Sequence, residues 1–255
     1  MKLLFSFFVL LAGAGCNAYA QQNAAATIEY TEINNTDLPN KLTALLYIDG
    51  NVSVFHEKFS TKTEIDAKPL PEGVFVSKGR PAEDAYLKTD RAKKQILFFD
   101  GIGGNNYLVE DAFGNIKWTI TSDTKQLAGY NCVKAIGSYR GREWEAWFAP
   151  DIPFPFGPWK LNGLPGLILE ARDDTKRFEF VAVKVSFTQD AIVSKDFTTL
   201  VRTTNKKPVP YRKFLADREE YSDNAFKELQ QKITGTITRT EVPPSGLELK
   251  YDWEQ

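Results

Sequence analysis

The chain is short of the side chains from which most hydrolases and metal sites are built. Its 255 residues include one histidine (His56), two cysteines (Cys16 and Cys132) and one methionine. Serine and cysteine nucleophiles are usually activated by a histidine base. His56 lies inside the run VSVFHEKF with no nucleophile motif near it, and reads as a packed strand residue. A zinc site needs three or four His, Cys or carboxylate ligands at motif spacing, which one His and one Cys do not supply. No cofactor motif is present: Gly101-Ile102-Gly103-Gly104 precedes a strand-like run, not the helix a phosphate loop requires. An excess of either charge is also missing. With 32 basic and 33 acidic residues and no basic block, nucleic acid is not an expected partner. Beyond the N-terminus no apolar run approaches the ~20 residues that a transmembrane helix needs.

The one apolar run, residues 3–11, follows Lys2 and leads through small residues to Ala18-Tyr19-Ala20. This is the pattern of a signal peptide over residues 1–20, and it predicts a periplasmic or secreted protein cleaved near Ala20. The competing pattern, lipidation at Cys16, lacks the usual aliphatic residue three positions earlier. After cleavage Cys132 stands alone and cannot form an internal disulfide. It reads as a small buried hydrophobe. The alternative is a thiol activated by Lys134, which shares its face of a strand.

What the chain does have is alternation. Residues 27–33, 42–48 and 52–59 read as strands, the last two joined by Asp49-Gly50-Asn51, a strong hairpin signal. Residues 60–90 read as loop with a short strand at 74–76 and a helical turn at 82–87. Strands return at 95–100, 106–111, 116–121, 132–139 and 143–148, then at 167–172 and 177–187, spaced as in an antiparallel meander. After Pro210 the period changes, and Phe214, Leu215, Phe226, Leu229 and Ile233 mark a helix over about 210–233, with a possible new N-cap at Ser222-Asp223-Asn224. A strand at 233–241 and a loosely held tail from Pro243 complete the reading. The expected fold is mainly β with a C-terminal helix (α+β): one domain over 21–255, built on a large curved antiparallel sheet or open half-barrel.

Residues 144–170 (WEAWFAPDIPFPFGPWKLNGLPGLILE) stand apart, holding five of the thirteen prolines and three of the five tryptophans. They end in Gly163-Leu164-Pro165-Gly166-Leu167-Ile168, the hexapeptide that names the GLPGLI family of Bacteroidetes-type exported proteins. Flanking blocks extend the resemblance over roughly residues 42–187: Leu45-Leu46-Tyr47, Trp118-Thr119-Ile120-Thr121, Gly129-Tyr130-Asn131-Cys132, Gly141-Arg142, Trp144, Asp151-Ile152-Pro153 and Gly157-Pro158-Trp159-Lys160. The resemblance implies an exported, β-rich protein and carries no catalytic residues with it. By analogy it resembles periplasmic lipoprotein carriers, whose open curved sheet packs on helices.

Three functions follow as expectations. The first is a non-enzymatic envelope protein binding a hydrophobic small molecule or an outer-membrane protein, with Trp144, Trp147, Phe154, Phe156 and Trp159 as contact residues. The second is a hydrolase using two of Glu143, Glu145, Asp151 and Glu170, which requires two carboxylates facing each other across a cleft. The third is an adaptor or inhibitor presenting residues 151–164 as a rigid aromatic loop. Against the third stands the tendency of large aromatics to be buried, which would make this loop a plug for one end of the sheet. Asp173-Asp174 and Glu110-Asp111 could in principle hold calcium but lack a calcium-loop pattern. Gly163 and Gly166 are expected to serve backbone geometry around Pro165, and Leu164, Leu167 and Ile168 to enter the core.

Overall fold

The structure is a computed structural model and describes residues 25–37, 39–58, 84–188, 197–198, 207–232, 238 and 246–254. The leader expected at 1–20 and the strands expected at 74–76 and 233–241 lie outside these residues, apart from position 238.

Alternation of apolar and polar residues produces a run of antiparallel strands. The first six are β1 (Ala25–Asn34), β2 (Asn40–Asp49), β3 (Val52–Lys58), β4 (Ala85–Asp90), β5 (Gln95–Ile102) and β6 (Asn105–Ala112). Five more follow: β7 (Lys117–Leu127), β8 (Tyr130–Tyr139), β9 (Arg142–Ala149), β10 (Leu167–Asp173) and β11 (Phe178–Thr188). A two-residue β12 (Val209–Pro210) leads into helix α1 (Tyr211–Lys232), and a one-turn 3-10 helix (Asp252–Glu254) lies near the end. Tight turns fix the register. Between β8 and β9, Arg140 and Gly141 both have positive φ (53° and 82°), the backbone that a two-residue hairpin matched to strand twist demands.

All twelve strands form one sheet, in the order β12-β6-β5-β4-β3-β2-β1-β11-β10-β9-β8-β7. It is an open, mostly antiparallel sheet that does not close into a barrel; among the described residues the one parallel pair is β12 with β6. Two meanders, β1–β6 and β7–β11, meet in mid-sheet where β1 pairs with β11 from Ala25↔Thr188 to Asn34↔Phe178. The chain passes from β6 to β7, from one side of the sheet to the other, through residues 113–116 alone. Five peptide steps reach at most about 18 Å. The sheet must therefore curl until β6 and β7 lie that close at one end.

The concave face carries the core. Ile28, Tyr30, Leu46, Ile48, Phe55, Ile96, Trp144, Ala146, Phe148 and Phe180 are buried there in one cluster. Helix α1 covers the β5–β6 side, where Phe214 packs on Ile102 and Val109.

Four expectations are corrected. Residues 85–90 are a strand, not part of a helical turn; Ala85–Glu57 to Asp90–Val52 ladder with β3 supplies the hydrogen bonds that a charged hexapeptide could not find alone. The first strand begins at Ala25, and Ala25 and Ala26 are buried in the sheet. Helix α1 runs through Ser222-Asp223-Asn224 without a break. The tail is tied down: Leu249 and Lys250 donate backbone hydrogen bonds to the Arg140 carbonyl (2.8 and 3.1 Å).

Candidate functional site

The proline-rich connection between β9 and β10 lies inside the curl. Ile152 is 1% exposed, Phe154 7%, Phe156 1% and Trp159 7%. The connection bridges the gap between the sheet's two sides. On the β7 side, Trp118 Nε1 donates to the Asn162 carbonyl (2.8 Å). On the β6 side, the buried Lys160 ammonium reaches Asp111 (2.7 Å). Burial leaves no room for a side chain at Gly166, where a Cβ would press on the Ala149 carbonyl oxygen and lie 2.8 Å from its carbon. Gly163 has φ 93°, a conformation that side chains disfavour. Leu164, Leu167 and Ile168 are buried, and Tyr30 on β1 donates its hydroxyl to the Ile168 carbonyl (2.6 Å).

Charges from distant parts of the chain meet at this gap. Arg140 from the β8–β9 turn places Nη2 3.0 Å from both Asp111 oxygens and 3.2 Å from Asp252. Lys160 also reaches Glu248 of the tail (2.6 Å), and Tyr211 of α1 donates to the other Glu248 oxygen (2.7 Å). Arg142 holds Asp173 (2.7 Å) and the Gly246 carbonyl (3.1 Å). The tail is thus strapped across the gap. Buried charges persist only when paired in this way. Asp111 and Asp173, weighed above as calcium ligands, are committed to lysine and arginine. A polar hollow of about 550 Å³ beside Arg140, Arg142 and Glu143 is bounded by this network.

Between the strap and the concave face lies a second cavity of about 410 Å³. Phe55, Leu87 and Phe98 line it from β3, β4 and β5, Trp159 and Lys160 from the connection, and Tyr211 and Arg218 from α1. Leu247, Glu248 and Tyr251 of the tail line it from the other side. Its size falls within the range of small-molecule sites, and its walls are mainly aromatic and aliphatic.

Besides Glu248, which Lys160 and Tyr211 hold, Glu57 brings a carboxylate to this cavity. Glu57 on β3 lines it, inward-facing like Phe55 two residues earlier. Its diagonal neighbour across β2 is Glu32 on β1. Glu57 stands opposite Ala44 and Glu32 opposite Leu42, all on the concave face. Asn34 donates to Glu32 Oε1 (3.0 Å), while Glu32 Oε2, although buried, has no hydrogen-bond partner. Burial raises the Glu32 carboxyl to about 7, the Asn34 hydrogen bond opposing it. Burial, and then repulsion from Glu32, raises Glu57 to about 8. Nothing in the sequence set these two glutamates apart from the other acidic strand residues.

The five aromatics expected to form a contact surface are dispersed. Trp144 is fully buried, 6.3 Å from Phe180 and 5.7 Å from Trp159 between ring centres. Trp147, three residues on, points to the opposite face of β9, where Lys125 Nζ lies 4.3 Å above its ring. Phe154 and Phe156 are in the core, and only Trp159 reaches the cavity. Residues 151–164 therefore do not project as an aromatic loop.

The carboxylates considered for hydrolysis are occupied or in solvent. Glu145 is held by Lys134 (2.8 Å) and Arg172 (2.7 Å), and the hydrogen bonds from Lys134 and Trp147, with both cations, outweigh burial and lower its carboxyl. Glu170 pairs with Lys125 (2.6 Å), and Glu143 and Asp151 are exposed. Cys132 is buried, and desolvation pushes its thiol up to about 11, the reverse of activation. Lys134 is turned to Glu145. His56 is buried on the convex face, Nε2 2.8 Å from Asp84 and its ring stacked on Tyr86 at 4.2 Å.

Among the described residues no helix is long and apolar enough to cross a membrane. A search of curated proteins found no match. Among solved structures, PNGF-II in a P21 crystal is similar with a TM-score of 0.52 and 15% identity, over 77% of this chain and 33% of that one. The C2 crystal of PNGF-II gives 0.49 and 16%, over 80% and 33%. The likeness is one of fold, and this chain spans about a third of the length of PNGF-II. A family model described as "Protein of unknown function (Porph_ging)" matches residues 139–170, from the last residue of β8 through the hexapeptide into β10.

Proposed function

We propose that this chain is an exported binding protein of the GLPGLI type that holds a hydrophobic small molecule inside its curled sheet. The observation that carries this reading is the 410 Å³ cavity between β3–β5, the buried connection, α1 and the C-terminal strap. Phe55, Leu87, Phe98, Trp159 and Tyr211 offer an apolar body the burial it lacks in water, worth about 25 cal/mol for each Å² covered. The export part rests on the leader at residues 1–20. An outer-membrane partner engaging the 151–164 aromatics is not favoured, because those rings are in the core.

The test is fluorescence titration with N-phenyl-1-naphthylamine, a neutral apolar dye. The wild type is expected to enhance its emission at one dye per chain. Leu87→Trp, which fills the cavity, is expected to weaken binding at least about tenfold with the melting transition kept. A wild type that leaves the dye dark would overturn the reading. The mass of the mature protein recovered after export checks cleavage near Ala20.

A further inference from the structure

Resting on the cavity reading above, we propose that the ligand is an amphiphile with a cationic amine head, its ammonium seated on Glu57 and Glu32 and its apolar body lying along Phe55, Leu87, Phe98 and Trp159.

Glu32 and Glu57 are an unanswered pair of acceptors. A buried carboxylate is normally paired or hydrogen-bonded. Glu170, Asp111 and Asp173 obey this, each holding a lysine or an arginine within 2.7 Å. Glu32, only 3% exposed, has one oxygen satisfied by Asn34 and the other with no partner. Glu57, at the wall of the cavity, has no cation on it among the described residues, and its strongest electrostatic neighbour is a second acid. Among the described residues, the elements around the pair bring no neutralising charge. From β2 come Leu42 and Ala44, from β11 Phe178 and Phe180, and from β1 Tyr30, whose hydroxyl is spent on Ile168. The cations of the same cavity are engaged elsewhere, Lys160 with Asp111 and Glu248, and Arg218 with Asp100 (3.6 Å).

An ammonium answers this arrangement on each count. It brings three donors and no acceptor, so it can serve Glu57 and the orphan oxygen of Glu32 together. Its charge converts the repulsion between two carboxyls into attraction to both. Aromatic walls tolerate the adjoining methylenes and attract the cation weakly through their faces. A divalent metal fits less well. Calcium takes about six to eight oxygens and magnesium about six, whereas Phe55, Leu87 and Phe98 offer none. A fatty acid would place a third carboxyl beside two.

Raised proton affinity at both glutamates adds a signature. Near neutral pH the empty pair keeps one or both protons, and seating an ammonium expels them. Amine affinity therefore rises with pH through about 7 and about 8, until the amine itself deprotonates.

The experiment is calorimetric titration of the intact mature protein with octylamine, octanol and octanoate at about pH 6 and about pH 9, in two buffers of different ionisation enthalpy. At the higher pH octylamine should bind at least about tenfold more tightly than octanol, the margin expected for a charge-assisted hydrogen bond. Binding should release protons and weaken at the lower pH. Glu57→Gln and Glu32→Gln should each bring octylamine down to about the affinity of octanol for the same variant. Octanol binding as well as octylamine, octanoate binding best, or octylamine indifferent to both glutamine variants would each overturn the amine assignment and leave the cavity reading standing. If none of the three binds, both fail.

Discussion

Glu32 and Glu57 set a condition on stability as well as on binding. Both carboxyls hold their protons to higher pH in the fold than in the open chain, at about 7 and about 8. Between about pH 4.5 and 8 the native state therefore binds more protons than the unfolded state, and stability falls as pH rises through that window. Glu32→Gln should raise stability at pH ~8 by on the order of 2 kcal/mol and leave it nearly unchanged at pH ~4.5; urea titrations at the two pH values check this, and a variant weakened equally at both would refute it. Lys160 presents the opposite case, a buried cation serving Asp111 and Glu248. Lys160→Met keeps the stem but takes the ammonium from two buried acids, leaving Asp111 to Arg140 and Glu248 to Tyr211, and should cost about 1–3 kcal/mol in the same titration. Neither role was legible. Glu57 alternates with Phe55 as any strand residue does, and Lys160 follows Trp159 in a block noted only for its aromatics. Partners lying 49 and 88 residues away leave no local trace.

At the scale of the element, the hexapeptide shows what a signature can encode. Its glycines answer two different demands, a positive φ at 163 and a backbone approach at 166. Gly166→Ala should destabilise by about 1–3 kcal/mol as the β9–β10 junction shifts to admit a methyl group, read as a lowered urea midpoint with an unchanged slope. Tyr30→Phe leaves the buried Ile168 carbonyl without its donor and should cost about 1–3 kcal/mol; thermal melts of the two variants and their double mutant would show coupling, since both act on one junction. Here much was readable. The expectation that Gly163 and Gly166 shape the backbone came from their flanking Pro165, and strands β2, β3, β5, β6 and β8 to β11 came from alternation and turn residues. β4 escaped because AYLKTD is six residues long, follows a proline-broken stretch, and presents Leu87 inward and Tyr86 outward. Its strand character comes from the ladders with β3 and β5, which only the assembled sheet provides.

Across the whole molecule, the sheet stays curled because β6, the β8–β9 turn, the buried connection, α1 and the tail share one set of charges. Removing residues 246–255 takes Glu248 and Asp252 from Lys160 and Arg140, and the Gly246 carbonyl from Arg142. The truncated protein should keep the β1–β11 ladder while losing protection in β6 and the β8–β9 turn, as hydrogen exchange would report, and should lose the tail's wall of the cavity. That tail read as loosely held because nothing in its composition announces a hydrogen bond to Arg140. Curvature was legible in outline from the number of strands; the closeness of β6 to β7 was not, since it follows from which strands are neighbours.

That neighbour order has a genetic consequence. Residues 113–116 are the only covalent link between two meanders that grip each other through a ten-residue ladder between β1 and β11. The gene could be cut there and its halves made as separate polypeptides, each carrying one side of the ladder. Mixed together, they should reassemble into a two-chain protein that co-purifies through a tag on either half, and Tyr30→Pro in the first half should prevent it.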